Sequence, residues 1–418
     1  MKNIRQAIFA AAFFVLSLIV SNVWAGIDYG PWLTGVTDHS ITIKWGSLDP
    51  SGSVEYGTTE SMEQSAASVA GDGVHQADLD SLETGTRYYY RVSSGGDSSE
   101  IHSFLTAPDP AEPIHFVVIS DTQGFIAPYH DIVETILPYE PEFILHNGDQ
   151  VDYAFLASQW DQYWSVTDLL AGDAPYFPVM GNHDLYPGGK SHFALYWSNP
   201  MSDGTPSPST YAFQYGNTYF ISLNVDIPYH SGSEQYNWLV DQLDYAKSQP
   251  SVQHCIVHAH FPPFSCSNHG EDANVLAFRE AMVPLFQEYG IDLYMSGHDH
   301  NYQRSVVNGL TYLVTGCSSS RHYSCDPRDW TVTCEKTNNF SYIEIDGTVI
   351  HVEVHRPDDT VIEEFDLDHD FNGGDDDDTA DDDAADDDDD DNDDNDDNDD
   401  NDDNDDNDDD DDDNGCGN

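Results

Sequence analysis

Apolar and polar residues alternate with the period of a strand in the first quarter of the chain. Ile41, Ile43 and Trp45 fall on one face, and Thr42, Lys44 and Gly46 on the other. Tyr88, Tyr90 and Val92 repeat the pattern after the turn-rich run Glu83-Thr84-Gly85-Thr86. Short strands separated by Gly, Ser, Asp and Thr predict a small all-β sandwich. From Ile114 the pattern changes. Ile114–Ile119 is a β-rich run that stops at Ser120-Asp121, and Phe143-Ile144-Leu145-His146 stops at Asn147-Gly148-Asp149. Further apolar runs end at Gly181-Asn182-His183-Asp184, at His258-Ala259-His260 and at Gly297-His298-Asp299-His300. Helices are predicted between several of them, over 233–246 and 275–289. Strands alternating with helices imply an α/β domain whose polar strand ends converge on one edge of the sheet, where ligands bind.

The ends of the chain read differently. Lys2 and Arg5 precede an apolar run, 7–20, of 14 residues with one serine, and Val23 and Ala25 suit cleavage, so 1–25 reads as a signal peptide. That run is short of the roughly 20 residues a spanning helix needs. No transmembrane helix is expected in the mature chain, and a secreted, periplasmic or cell-surface location is. The all-β module occupies 26–107, a Pro-rich joint begins at Ala107, the α/β domain occupies 108–371, and 372–418 is an Asp/Asn-rich tail expected to be disordered, because it cannot bury apolar surface.

Charge narrows the function. The formal net charge is −65 with 13 Lys+Arg, and 375–413 holds 29 Asp; the remainder still carries −36. Binding of nucleic acid through a basic patch is excluded, and a polyanionic substrate has to be held by metal ions. Asp366, Asp368, Asp370 and Asn372 have the alternate-residue oxygen spacing that starts a calcium loop, but a solvated acidic spacer is the favoured reading of the tail. Six cysteines fit an oxidising compartment. Cys325 and Cys334 flank a short Pro-containing loop and are expected to pair. Cys266 and Cys317 are candidate neighbours, Cys255 a buried free thiol, and Cys416 an anchoring or intermolecular thiol.

Asp121, Asp149, Asn182, His260, His298 and His300 together form a mixed oxygen and nitrogen ligand set, suited to Zn²⁺, Mn²⁺ or iron. A carboxylate such as Asp149 can bridge two ions about 3.5–4 Å apart, the arrangement that clamps attacking and leaving oxygens in phosphoryl transfer. Glycines before Asp149, Asn182 and His298 allow the tight turns that bring such ligands close.

The ordered set Ser-Asp121-Thr-Gln, Gly-Asp149-Gln-Val-Asp-Tyr, Gly-Asn182-His183-Asp, Val257-His-Ala-His260 and Gly-His298-Asp-His300 resembles the calcineurin-like metallophosphoesterases, most closely the purple acid phosphatases. Flanking segments agree: His-Ala-His-Phe-Pro-Pro-Phe around His260, Gly-His-Asp-His-Asn-Tyr-Gln-Arg from Gly297, and Tyr-Leu-Val-Thr-Gly-Cys from Tyr312. The N-terminal module is similar to a fibronectin type III-like domain, notably over 79–92, and to the module that precedes the catalytic domain in that branch. The resemblance implies a metallophosphoesterase domain of two packed β-sheets flanked by helices. It implies Asp121, Asp149 and His300 as ligands of one ion, and Asp149, Asn182, His260 and His298 as ligands of the other. His183 resembles the histidine that stabilises the transition state or protonates the leaving group, and His258 reads as a supporting or core histidine. The sequence departs from the family at the first ion. Asp152 stands where the purple branch has its phenolate Tyr, with Tyr153 one place later, and Gln123 stands where the wider superfamily has a His. That ion is completed by Tyr153, by Gln123, by water or by nothing.

The expectation is an exported phosphatase that hydrolyses phosphate monoesters of a small molecule by attack of a metal-bound hydroxide at a dinuclear centre. A phosphodiesterase or nucleotidase with the same site is the near alternative. A calcium-binding surface protein with a lapsed catalytic domain is the distant one.

Overall fold

The computed structural model describes residues 26–123, 126–200 and 204–373. The expected signal peptide, the tail from 374 onward and Cys416 lie outside the described residues.

Two β-sheets flanked by helices form an α/β domain, preceded by an all-β N-terminal module. One sheet has ten strands. At its centre Ile114–Ile119, Ile144–His146 and Tyr176–Pro178 run parallel, flanked on one side by Phe340–Asp346, Val349–His355 and Val361–Asp368. The second sheet has seven strands, with Thr218–Ser222, His254–His258, Leu293–Ser296 and Leu310–Val314 running parallel. The two sheets pack face to face through aromatic rings. Phe116 meets Phe220 edge-on at 5.4 Å between centroids, and Phe177 stacks on Phe213 at 3.9 Å. The helices Ile126–Ile136 and Ala157–Ala171 cover the outer face of the first sheet, and Glu234–Ser248 and Ala273–Tyr289 that of the second. The helix expected over 233–246 therefore starts one residue later, because Ser233 is its cap: the Ser233 hydroxyl accepts from the Tyr236 N–H at 3.3 Å.

The N-terminal strands continue the sheet of the α/β domain. Thr34 pairs in parallel with Tyr176, so Tyr29–Thr34, Ser40–Gly46 and Val74–Asp80 continue the ten-stranded sheet. The strands Gly52–Gly57, Arg87–Ser94 and His102–Leu105 form the other layer of the sandwich. Buried polar and aromatic contacts weld the junction. The Trp32 ring lies 4.3 Å from that of Trp164 and its indole N–H donates to the Tyr196 carbonyl. The Tyr90 hydroxyl donates to the Gly172 carbonyl, and Lys44 Nζ to that of Leu195.

Cys325 and Cys334 form a disulfide. Cys255, Cys266 and Cys317 are free and buried. Cys266 and Cys317 are not bonded to each other, and the Cys266 sulfur lies within 4.8 Å of both disulfide sulfurs. The alternate oxygens at 366 and 368 belong to the strand Val361–Asp368, where Asp366 accepts from His351 Nδ1 at 2.6 Å and Asp368 from the Thr348 hydroxyl at 3.0 Å. Strand period accounts for that spacing.

Candidate metal centre

Parallel pairing brings the motifs together in two steps. In the first sheet, Ile114–Ile119 lies beside Ile144–His146, so the residues just beyond each strand become neighbours. The Asp121 N–H donates to the Gly148 carbonyl at 3.0 Å and the Gln123 N–H to that of Asp149 at 3.1 Å. In the second sheet, His254–His258 lies beside Leu293–Ser296, and the Gly297 N–H donates to the His260 carbonyl at 3.2 Å. The two edges then meet, because the His298 N–H donates to both carboxylate oxygens of Asp121, at 3.2 and 3.1 Å.

The turns that do this are strained. Asp121, Gln123, Asp149 and His298 all adopt positive φ, of 54°, 34°, 57° and 71°. Such backbone costs on the order of 1–3 kcal/mol per residue and persists where the surroundings over-determine it, which is typical of functional sites. Two glycines make the approach possible. A Cβ on Gly148, at φ +95°, would meet the Gly181 nitrogen at 2.7 Å, and one on Gly297 would meet Ser120 Oγ at 2.0 Å and Asp121 Oδ2 at 2.5 Å.

The buried side chains of Asp149, His260 and His298 each aim a ligand atom into a space less than 4.8 Å across. Asp149 Oδ2 is 3.2 Å from His260 Nε2, and Asn182 Oδ1 is 3.1 Å from the same nitrogen. His300 Nε2 lies 3.5 Å from Asp121 Oδ1. The far nitrogens are already committed. His260 Nδ1–H donates to the Asn147 carbonyl at 2.8 Å and His300 Nδ1–H to that of Arg321 at 2.7 Å, which points Nε2 of each ring into the site. His298 Nε2 is buried with no hydrogen-bond partner.

Charge at the site asks for a cation. Burial pulls the His260 imidazole down, but the adjacent Asp149 carboxylate outweighs it and holds the ring at about 9. Burial opposes ionisation of Asp149, yet His260 beside it holds the carboxyl well below the usual range. Burial, with His260 nearby, pushes His298 well below its ordinary value, and its Nε2 has no partner. A metal ion would replace the proton on His260 and use the free nitrogen of His298, so the residues present fit the group.

The remaining sequence-predicted residues fall in different places. Gln123 Nε2 donates to Asp149 Oδ2 at 2.7 Å, and its Oε1 is buried with no partner. The Asp152 carboxylate lies 3.1 Å from His183 Nδ1 and 3.8 Å from Arg321 Nη1. Tyr153 is 39% exposed, with its ring against Phe155 and Tyr186. His258 has both nitrogens occupied, Nδ1 donating to Asn147 Oδ1 at 3.0 Å and Nε2 accepting from the Ser222 hydroxyl at 2.6 Å. It supports Asn147, which in turn orients His260. The His183 N–H donates to Asp149 Oδ1 at 2.8 Å, and its Nδ1–H to the Asp152 carbonyl at 3.0 Å.

Two residues at the site escaped the sequence reading. Asp184 accepts from the N–H groups of Asp149 and Gly181, both at 2.9 Å, and of Gln150 at 3.0 Å, which locks the Asp149 turn to the Asn182 turn. Burial, then the Asp149 charge, raises its carboxyl to about 7. Its signal was its place closing the Gly-Asn-His-Asp motif. The His269 ring lies 4.4 Å from the His298 ring, tilted 37° to it, and His269 pairs with Asp272 at 2.8 Å. It sits in a loop with no strand-end pattern.

The chain is similar to known proteins over both of its regions. Residues 114–302 match the calcineurin-like phosphoesterase family, and residues 31–106 match the purple acid phosphatase N-terminal domain. Purple acid phosphatase 15 of Arabidopsis thaliana is 28% identical over 59% of this chain and 54% of its own length. Purple acid phosphatase 18 of the same plant is 27% identical over 77% of this chain and 79% of its own. The chain spans about half the length of the first curated relatives it matches, 50–57% of each. A purple acid phosphatase from yellow lupin (Lupinus luteus) seeds superposes with a TM-score of 0.69 at 20% identity, over 81% of this chain and 74% of that one. The structure of PhoD superposes at 0.64 with 12% identity, over 82% and 90%.

Proposed function

We propose that this chain, which carries a calcineurin-like phosphoesterase domain behind a purple acid phosphatase N-terminal domain, is an exported metal-dependent phosphatase acting on phosphate monoesters. One observation carries the reading. Asp149, His260 and His298 converge with an unpartnered buried His298 nitrogen, and Asp149 also adjoins Gln123 from the first motif. Asp149, Asn182, His260 and His298 would hold one ion, and Asp121, His300 and the shared Asp149 the other. When bound, the ions supply Lewis-acid charge for the phosphoryl oxygens and lower the pKa of water.

The chain's own residues do the rest. His183 is tied to the site by its N–H on Asp149, and its Nδ1–H is fixed on the Asp152 carbonyl. Nε2 is thereby the nitrogen that exchanges a proton with the leaving oxygen or hydrogen-bonds the phosphoryl group. Arg321, near Asp152, adds positive charge on the same side. Export is supported by the character of 1–25 and by the Cys325–Cys334 disulfide, which suits an oxidising compartment. Among the described residues no helix is long and apolar enough to cross a membrane.

The test is metal analysis together with turnover. Two transition ions per chain, and hydrolysis of phosphate monoesters that chelation abolishes and metal restores, are expected. Protein that holds no transition metal, or holds it without turning over any phosphoester, sinks the proposal.

A further inference from the structure

Three aromatic rings stand exposed beside His183. Tyr153, Phe155 and Tyr186 are 39%, 52% and 40% exposed. They form one cluster, with centroids 5.8 Å apart for Tyr153 and Phe155, 5.3 Å for Tyr153 and Tyr186, and 6.3 Å for Phe155 and Tyr186. The Tyr186 ring lies 6.0 Å from that of His183 in an edge-on arrangement. An exposed apolar cluster at the mouth of a polar site marks a surface meant to be covered.

The cluster is also built. Its two loops leave the Asp149 and Asn182 turns, and Asp184 bolts those turns together through the Asp149, Gln150 and Gly181 N–H groups. The Tyr153 N–H donates to Gln159 Oε1 at 2.6 Å, and the Trp160 indole N–H to the Ala154 carbonyl at 2.9 Å, which anchors the first loop on the helix Ala157–Ala171. The loops that carry the rings are therefore tied to the turn that carries His183.

We infer that Tyr153, Phe155 and Tyr186 are a stacking surface for a planar aromatic leaving group on the phosphate ester. The inference rests on the phosphatase reading. If His183 meets the ester oxygen, the group beyond that oxygen extends from His183, and the ring packed there is that of Tyr186. Flat π-faces with no charge of their own accept a flat partner of any sequence or substitution. The shared chemistry is an aryl or nucleobase ring, and the substrate arms of the test distinguish the two.

The experiment compares kcat/KM for phenyl phosphate, adenosine 5′-monophosphate and glycerol 2-phosphate in the metal-loaded full chain and its variants. Phe155→Ala and Tyr186→Ala should each lose about fivefold or more on at least one aromatic substrate, mainly through KM. Both should stay near wild type on glycerol 2-phosphate. Loss on phenyl phosphate alone assigns an aryl ester, loss on the nucleotide alone assigns a nucleobase, and either supports the inference. Tyr186→Phe should keep the preference and Tyr186→Leu lose it, which separates stacking from simple apolarity. Equal changes on all three substrates, or none, overturn the stacking surface and leave the phosphatase standing. Failure of wild type to hydrolyse any of the three overturns both.

Discussion

Gln123 donates its side-chain amide to Asp149 Oδ2 at 2.7 Å, so the residue that departs from the superfamily pattern touches the carboxylate proposed to bridge the ions. Its other amide atom, Oε1, is buried without a partner. An amide is a weaker ligand than imidazole for transition ions. Gln123→His should therefore raise the metal retained after dialysis, measured by elemental analysis, whereas Asp149→Ala should lower it and abolish turnover. Colour gives an independent check. Asp152 is engaged with His183, and the Tyr153 ring lies among Phe155 and Tyr186, so no phenolate is expected on iron. Iron-loaded protein should lack an intense visible band; a strong band removed by Tyr153→Phe would contradict this assignment.

The Asp152 carbonyl accepts from His183 Nδ1–H at 3.0 Å, and the Asp152 carboxylate lies 3.1 Å from the same nitrogen without a hydrogen bond of its own. Loss of the His183 imidazole should cost about 10²- to 10⁴-fold in kcat for a substrate with a poor leaving group. Asp152→Asn keeps the carbonyl contact and removes the charge beside the ring, and should cost less than loss of the imidazole. Metal content should be unchanged in both variants. Equal loss on good and poor leaving groups would argue against proton transfer by His183.

The strand-end motifs were legible because each joins a β-run to a polar turn, and parallel pairing then needs no further information to gather them. Gly148 and Gly297 announced the close approaches for the same local reason. Contacts between distant segments left no such trace. His269 reaches His298 from an irregular loop, and Cys266 lies beside a disulfide whose halves are about 60–70 residues away in sequence. The junction of the N-terminal module was hidden too. The Pro-rich joint suggested a linker, whereas Trp32 on Trp164 and Tyr90 on Gly172 bind faces that no local pattern relates.

The end of the described chain is tied down by the buried Phe371, whose N–H donates to the Gln253 carbonyl at 2.7 Å, and by the amide of Asn372. Asn372 Nδ2 donates to the carbonyls of Val252 at 2.7 Å, Gln249 at 3.0 Å and Ala246 at 3.3 Å, just after the helix Glu234–Ser248. The Ala246 and Gln249 carbonyls also accept the backbone N–H groups of Gln249 and Val252, so the Asn372 amide reinforces the turn that ends the helix. Asn372→Ala should lower unfolding free energy by about 1–2 kcal/mol in denaturant titrations. Truncation after Phe371 should cost the same, and truncation after Gly373 should cost little. Equal destabilisation by both truncations would move the effect beyond Asn372.

Asp168 supplies the pH test of the junction between the N-terminal module and the helix Ala157–Ala171. Its Oδ2 accepts from the Gly30 N–H at 2.9 Å, but burial dominates and raises the carboxyl to about 6. The folded protein therefore binds the Asp168 proton more tightly than the unfolded chain, whose Asp titrates near about 4. The resulting contribution is fully present below pH about 4 and is lost as pH rises through about 6. Above that the charged carboxylate sits in a poorly hydrated place with one N–H donor. Asp168→Asn keeps an oxygen acceptor for Gly30 and carries no charge at any pH. The variant should match wild type at pH 4 and exceed it by about 1–2 kcal/mol at pH 7.5 in denaturant titrations. A difference independent of pH would show that packing, and not ionisation, sets the energy of this contact.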